Sequence, residues 1–89
     1  MKPVRLSGHA RRRCPTRGTN EREVRQAVLR GTREPAKKGR WMCRLNFPYN
    51  QTWRGRWYAV KQVAAVIAQR PTEIVVVTVY TFFFSSEQP

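Results

Sequence analysis

Residues 74–84 read Ile-Val-Val-Val-Thr-Val-Tyr-Thr-Phe-Phe-Phe, eleven consecutive β-branched or aromatic positions with no charge among them. Side chains of this kind are stiff at χ1 and pack well on a pleated surface, so the run predicts a strand. It is apolar on both faces, which places it inside a sheet and covered by helices on at least one side. Eleven residues also fall well short of the about 20 that a membrane-spanning helix needs. An 89-residue chain builds one thin core, and the rest of the sequence must be arranged around this strand.

The remainder is opposite in character. Residues 1–56 hold sixteen of the eighteen Lys and Arg and three of the five Glu. The formal charge of +13 therefore belongs wholly to that part, and residues 57–89 are neutral. Clustered Lys and Arg without balancing acids are the footprint of a polyanion binder. Self-repulsion at this charge opposes compaction, so a bound anion is expected to raise the melting temperature.

Along the chain, residues 2–6 suggest a short first strand. Ser7 fits the N-cap of a helix through His9 to about Cys14, with Leu6, Ala10 and Cys14 as its apolar stripe. Pro15 should end or kink this helix. Asn20 caps a second helix, with Glu23 placed for the reciprocal bond and Val24, Ala27 and Val28 as the buried stripe. Gly31 supplies its C-terminal stop. Residues 32–39, with Pro35 and Gly39, read as a loop. Residues 40–47 alternate, Trp41, Cys43, Leu45 and Phe47 against Arg40, Met42, Arg44 and Asn46, which predicts a half-buried strand. Residues 48–55 have turn chemistry. Residues 56–68 match both periods; their β-branched content and flanking turns favour a strand that pairs antiparallel with the last one. The expected fold is one α+β domain over residues 1–84: two N-terminal helices packed on a three- to four-stranded antiparallel sheet, in the order β-α-α-β-β-β. Residues 85–89 form a frayed tail.

Arg11, Arg12, Arg13 and Arg17 make the densest cluster of charge. If six to ten such side chains met phosphates, affinity should fall about 10³–10⁵-fold between 50 and 200 mM salt. Trp41, Tyr49, Trp53, Trp57 and Tyr58 lie among Arg40, Arg44, Arg54 and Arg56. Aromatic faces interleaved with cations hold single-stranded nucleic acid, because bases stack while arginine engages phosphate. Trp41 is expected in the core, with either Trp57 or Tyr58, and Trp53 is the stacking candidate.

The chain has no Asp and five Glu, so a two-metal nuclease site cannot be assembled, nor can the carboxylate pairs of glycosidases and aspartic proteases be expected. No glycine-rich phosphate loop or framed serine nucleophile appears. Cys14 and Cys43 have no metal-ligand spacing and are expected to be reduced thiols. No metal or cofactor is called for. Metal-free cleavage of RNA remains feasible, since the 2′-hydroxyl of the substrate is the nucleophile. Arg and Lys would neutralise oxyanions, and His9, Lys61 or Tyr80 would move protons. His9, the sole histidine, is the only side chain that ordinarily titrates near neutrality.

The segment Leu6-Ser7-Gly8-His9-Ala10-Arg11-Arg12-Arg13, followed by Arg17-Gly18 and Glu23-Val24, resembles the opening of a widespread small bacterial family. Its signature is Ser-x-His-Ala-x-x-Arg, then Arg-Gly followed by Ile or Val, and Glu-x-Val; Thr19 stands at the aliphatic position of the second motif. Tyr58-Ala59-Val60-Lys61-Gln62-Val63 and Glu73-Ile74-Val75-Val76-Val77-Thr78-Val79-Tyr80 resemble its last two strands, so the likeness covers residues 4–84. The family is a domain of unknown function grouped with RelE-type and BrnT-type toxins in the barnase–EndoU–colicin–RelE ribonuclease group. The resemblance implies a RelE-like α+β fold and an RNase site using His9 and Arg13 with Lys61, Thr78 or Tyr80. It also implies an acidic antitoxin that covers the basic face.

The expected function is RNA-directed, of the RelE-like toxin type, acting as a metal-independent endoribonuclease. Arg11, Arg12, Arg13 and Arg17 would hold phosphates, with Arg40, Arg44, Trp53, Arg54 and Arg56 as further nucleic-acid contacts. Two alternatives stay open: a non-catalytic RNA- or ribosome-binding module, and a structural protein that docks an acidic partner. The basic N-terminus has no apolar h-region, so a cytoplasmic protein without membrane contact is expected.

Overall fold

The computed structural model describes residues 2–86. Its elements follow in the order β1 (Val4–Leu6), α1 (Gly8–Arg17), α2 (Glu21–Arg30), β2 (Thr32–Pro35), a 3₁₀ turn (Lys37–Gly39), β3 (Trp41–Trp53), β4 (Arg56–Gln69) and β5 (Ile74–Phe84). The strands form one five-stranded sheet in the order β1-β5-β4-β3-β2. From β2 to β5 the chain is an antiparallel meander, while β1 pairs parallel with β5. The fold is α+β as expected, but the sheet has five strands and is mixed. Of the expected tail, Ser85 and Ser86 form a bend and residues 87–89 lie outside the described residues.

The additional strand is Thr32–Pro35, which its Pro and Gly content had marked as loop. Its four residues are all exposed and pair with Arg44 to Trp41 at the sheet edge. Pairing along one edge asks nothing of the other, so proline is tolerated there. The strand is held by β3 rather than by any apolar pattern of its own.

Both helices lie on one face. Val24, Ala27 and Val28 of α2 and Ala10 and Cys14 of α1 meet Cys43, Val63, Ala65, Ile67, Val76 and Val79 in one buried cluster. The helix stripes read from sequence are buried, and in the β3 row Cys43 is buried with Leu45 and Phe47 half-buried against the cluster. Trp41 is the exception. It opens β3 at the corner of the sheet, beside edge strand β2, and is 38% exposed outside that cluster. Tyr58 rather than Trp57 turns inward, against Phe83, and Trp57 is left exposed.

Helix α1 runs past Pro15 to Arg17. Pro15 lies on the exposed side of its last turn, where the hydrogen bond it forfeits is close to solvent. The true stop is Gly18 at φ 71°: its amide reaches the Pro15 carbonyl at 3.2 Å and the Thr19 amide reaches Cys14 at 3.0 Å. That pair of bonds is a Schellman ending. Helix α2 starts as expected, Asn20 accepting from the Glu23 amide at 2.9 Å. The reciprocal half of the capping box is not made, because the Glu23 carboxylate turns to Thr19 and Lys61. Gly31 ends α2 at φ −73°, so no left-handed stop is used. Glycine is required there for closeness instead: a Cβ would lie 2.4 Å from the Arg44 carbonyl oxygen and 2.5 Å from that of Ala27.

Residues 48–53, expected as turn, continue β3. A bulge between Pro48 and Gln51, with Asn50 at φ 50°, absorbs the irregularity. Pro48 lies beyond the stretch that β2 covers, so its missing amide faces no partner strand. The turn itself is only Arg54 and Gly55, both at positive φ, as a two-residue hairpin demands.

Candidate nucleic-acid interface

Ser7 explains how a histidine reaches the sheet. As N-cap of α1, its Oγ accepts from the Ala10 amide at 3.1 Å. The same hydroxyl donates to the Val77 carbonyl at 3.3 Å, and the Ser7 amide donates to the Val76 carbonyl at 3.0 Å. The helix start is thereby fastened to β5 beside Thr78. Ala10, with no exposed surface, allows the close approach. His9 then sits with Nε2 3.1 Å from Thr78 Oγ1.

The far end of α1 is fastened as well. The Thr81 hydroxyl donates to the Arg17 carbonyl at 2.6 Å, and the Arg17 guanidinium lies over the Tyr80 ring at 5.6 Å. His9, Arg13 and Arg17 are spaced i, i+4 and i+8, so they form one row along the helix. Thr78 and Tyr80 are i and i+2 on β5, one row along the strand. The two rows meet at the edge of β5 beyond the end of β1, which pairs with β5 only as far as Val76: His9 touches Thr78 and Arg17 lies over Tyr80. Arg13 is exposed and, among the described residues, has no side-chain hydrogen bond or ion pair. Arg17 Nε is buried and, among the described residues, has no hydrogen-bond partner, which leaves one donor unused beside Tyr80.

Of the five residues expected to share a catalytic site, the structure brings His9 against Thr78 and sets Tyr80 under the Arg17 guanidinium, while Arg13 lies between His9 and Arg17 on the exposed side of α1. Lys61 does not join them. It is 6% exposed on the helix-covered face, with Nζ 2.7 Å from Glu23 Oε1 and 2.9 Å from the Gly18 carbonyl. Position 61 pairs with Phe47 and Phe83, two places along from the inward-facing Val63, so strand alternation turns it away from the cleft.

The expected phosphate contacts are divided too. Arg12 is exposed, its guanidinium folded over Gly8. Arg11 is paired with Glu21 at 3.3 Å. Arg44 is held by Glu34 at 2.6 Å and Gln62 at 3.0 Å and lies over Phe82, so its charge is already engaged. Arg54 donates to the Thr16 carbonyl at 2.8 Å and covers the Trp53 ring, and Arg56 lies over Tyr58. Trp53 stacks on Phe83 at 5.3 Å and 15° and abuts Gly18. Its ring is thus taken up within the protein, and the hairpin tip braces α1.

The sheet face away from the helices carries exposed Tyr80 and Phe82. A groove of about 440 Å³ opens on it, lined in part by Arg40, Lys37 and Lys38. The two lysines were not singled out in the sequence, because a loop reading gave them no place on the sheet. Phe82 was read only as part of an apolar strand. Among the described residues no three His, Cys, Asp or Glu side chains come together, and no helix is long and apolar enough to cross a membrane. Comparison with protein-family models, curated proteins and solved structures finds no match to this chain.

Proposed function

We propose that the chain is an RNA-directed protein whose cleft between α1 and β5 cleaves RNA without a metal. The observation that carries this is the row His9, Arg13 and Arg17 set against Thr78 and Tyr80, with His9 Nε2 3.1 Å from Thr78 Oγ1. A proton-transferring ring beside a hydroxyl and a guanidinium over an aromatic face, with Arg13 between them on the helix, make up this edge. Cleavage there would form a bond from the ribose 2′-oxygen to phosphorus and break the bond from phosphorus to the 5′-oxygen. The 2′-hydroxyl gives up its proton and the leaving 5′-oxygen takes one, leaving a 2′,3′-cyclic phosphate and a 5′-hydroxyl. His9 is the acid or base, and Arg13 and Arg17 offset the charge that grows on the phosphoryl oxygens.

A second reading is RNA binding without cleavage. It is favoured by the single histidine: two proton transfers are needed, and a group other than imidazole would have to supply one. Induced expression of wild type and His9→Ala, followed by growth and RNA integrity, separates the two. Growth arrest and cyclic-phosphate ends that vanish in His9→Ala support cleavage. Intact RNA in both strains, with unchanged salt-sensitive binding in the variant, supports binding alone.

A further inference from the structure

We infer that the groove on the open sheet face seats an unstacked base, so that the RNA engaged is single-stranded and crosses β5 from the α1 row toward the Lys37–Gly39 turn. This rests on the RNA reading above and specifies the substrate. The groove reaches the α1 row, because Thr78 and Tyr80 line it and also meet His9 and Arg17. Its volume of about 440 Å³ is within the range of about 300–1,000 Å³ typical of small-molecule pockets.

The lining suits a base flanked by phosphates. Met42, Val66 and Val77 supply apolar surface from three adjacent strands, and Tyr80 supplies an aromatic ring. Val77 is there because of a bulge: Val66 pairs with Thr78 and Ile67 with Val76, leaving Val77 without a partner on β4. At the mouth stand Lys37 and Lys38, both exposed, and Arg40. The turn that carries them is fixed by left-handed Lys38 and Gly39, at φ 62° and 71°. Among the described residues the one carboxylate in the groove, Glu34, is held by Arg44 at 2.6 Å, so the unpaired charges among them are all positive.

A second copy of this chain is disfavoured as occupant, since each carries a formal +13 and like fields repel. Paired bases are stacked within a helix and cannot enter, whereas splayed bases of a single strand can.

The test measures binding of the full chain to a short fluorescent single strand and to a duplex of the same sequence, using wild type, Met42→Trp and Lys37→Glu/Lys38→Glu. Met42→Trp fills the groove. The lysine pair is exposed on a turn and leaves the core untouched, so it decides the matter if Met42→Trp does not fold. Expected are a wild-type preference for the single strand and its loss, by about tenfold, in either variant. Retained RNA binding with an unchanged single-strand-to-duplex ratio in the variants would overturn the base site while leaving the RNA reading intact. Absence of RNA binding by wild type would overturn both. Groove-dependent binding of a Glu-rich peptide in preference to either RNA would assign the groove to an acidic protein instead.

Discussion

Lys61→Met removes a buried charge while keeping most of the side chain's length. In the native fold Lys61 Nζ has the Glu23 carboxylate at 2.7 Å and the Gly18 carbonyl at 2.9 Å, with the Tyr49 ring 5.2 Å away. The side chains of Lys61 and Glu23 are 7% and 21% exposed. Removing one member of a buried ion pair costs about 3–5 kcal/mol, because the other is left desolvated and uncompensated. Glu23 keeps the Thr19 hydroxyl at 2.8 Å and is itself partly exposed, so the cost falls to the bottom of that range or just below it, about 2–3 kcal/mol. A domain has only about 5–15 kcal/mol in total. At about 4–8 °C per kcal/mol for a chain of this size, the melting temperature should fall by roughly 10–20 °C. The assay is thermal and urea unfolding of wild type, Lys61→Met, Glu23→Gln and the double variant. The double variant should be more stable than the sum of the singles predicts by at least about 1 kcal/mol, since it buries no unpaired charge. RNA binding per folded molecule should not change, because Lys61 lies on the helix-covered face. A Lys61→Met variant as stable as wild type but unable to act on RNA would refute the placement and restore Lys61 to the cleft.

Other outcomes follow from single contacts. Gly31→Ala should cost about 1–3 kcal/mol of unfolding free energy from overpacking, because its Cβ would meet two backbone oxygens, at 2.4 and 2.5 Å. A neutral effect in urea unfolding would show that β3 can move away from α2. Burial raises both Cys14 and Cys43 thiols above their ordinary range, Glu21 and Glu23 adding to it at Cys14 and Arg33 partly opposing it at Cys43. Native protein at neutral pH should therefore react with a thiol reagent only at the rate of unfolding, and denaturant should release two thiols. Fast labelling of the native state would contradict this burial.

The helix-facing core was legible because it rests on periodicity. Ala10 and Cys14, and Val24, Ala27 and Val28, repeat at helical spacing and the inward residues of β3 alternate, whereas β4 matched both periods and was legible through its β-branched content and flanking turns. What escaped was held by partners distant in sequence. Strand β2 has no apolar pattern and exists because β3 pairs with it. Trp41 follows the alternation of buried residues, yet its place at the sheet corner leaves it exposed. The segment 48–53 contains proline and αL asparagine, and a bulge lets it remain a strand.

The candidate site divides in the same way. Residue identity and composition marked out His9 and the cluster Arg11, Arg12, Arg13 and Arg17 and argued against carboxylate-based chemistry, and the family resemblance joined His9 to Arg13. Only the tertiary structure brought Thr78 and Tyr80 to that row, through Ser7 bonded to β5 and Thr81 bonded to the end of α1. It also withdrew Lys61 into a buried ion pair and engaged Arg44 and Trp53 inside the protein. The charge of the chain is fixed by its composition. Which of those charges remain unpaired for a ligand depends on the few glutamates that the fold brings within reach, and sequence spacing does not record that.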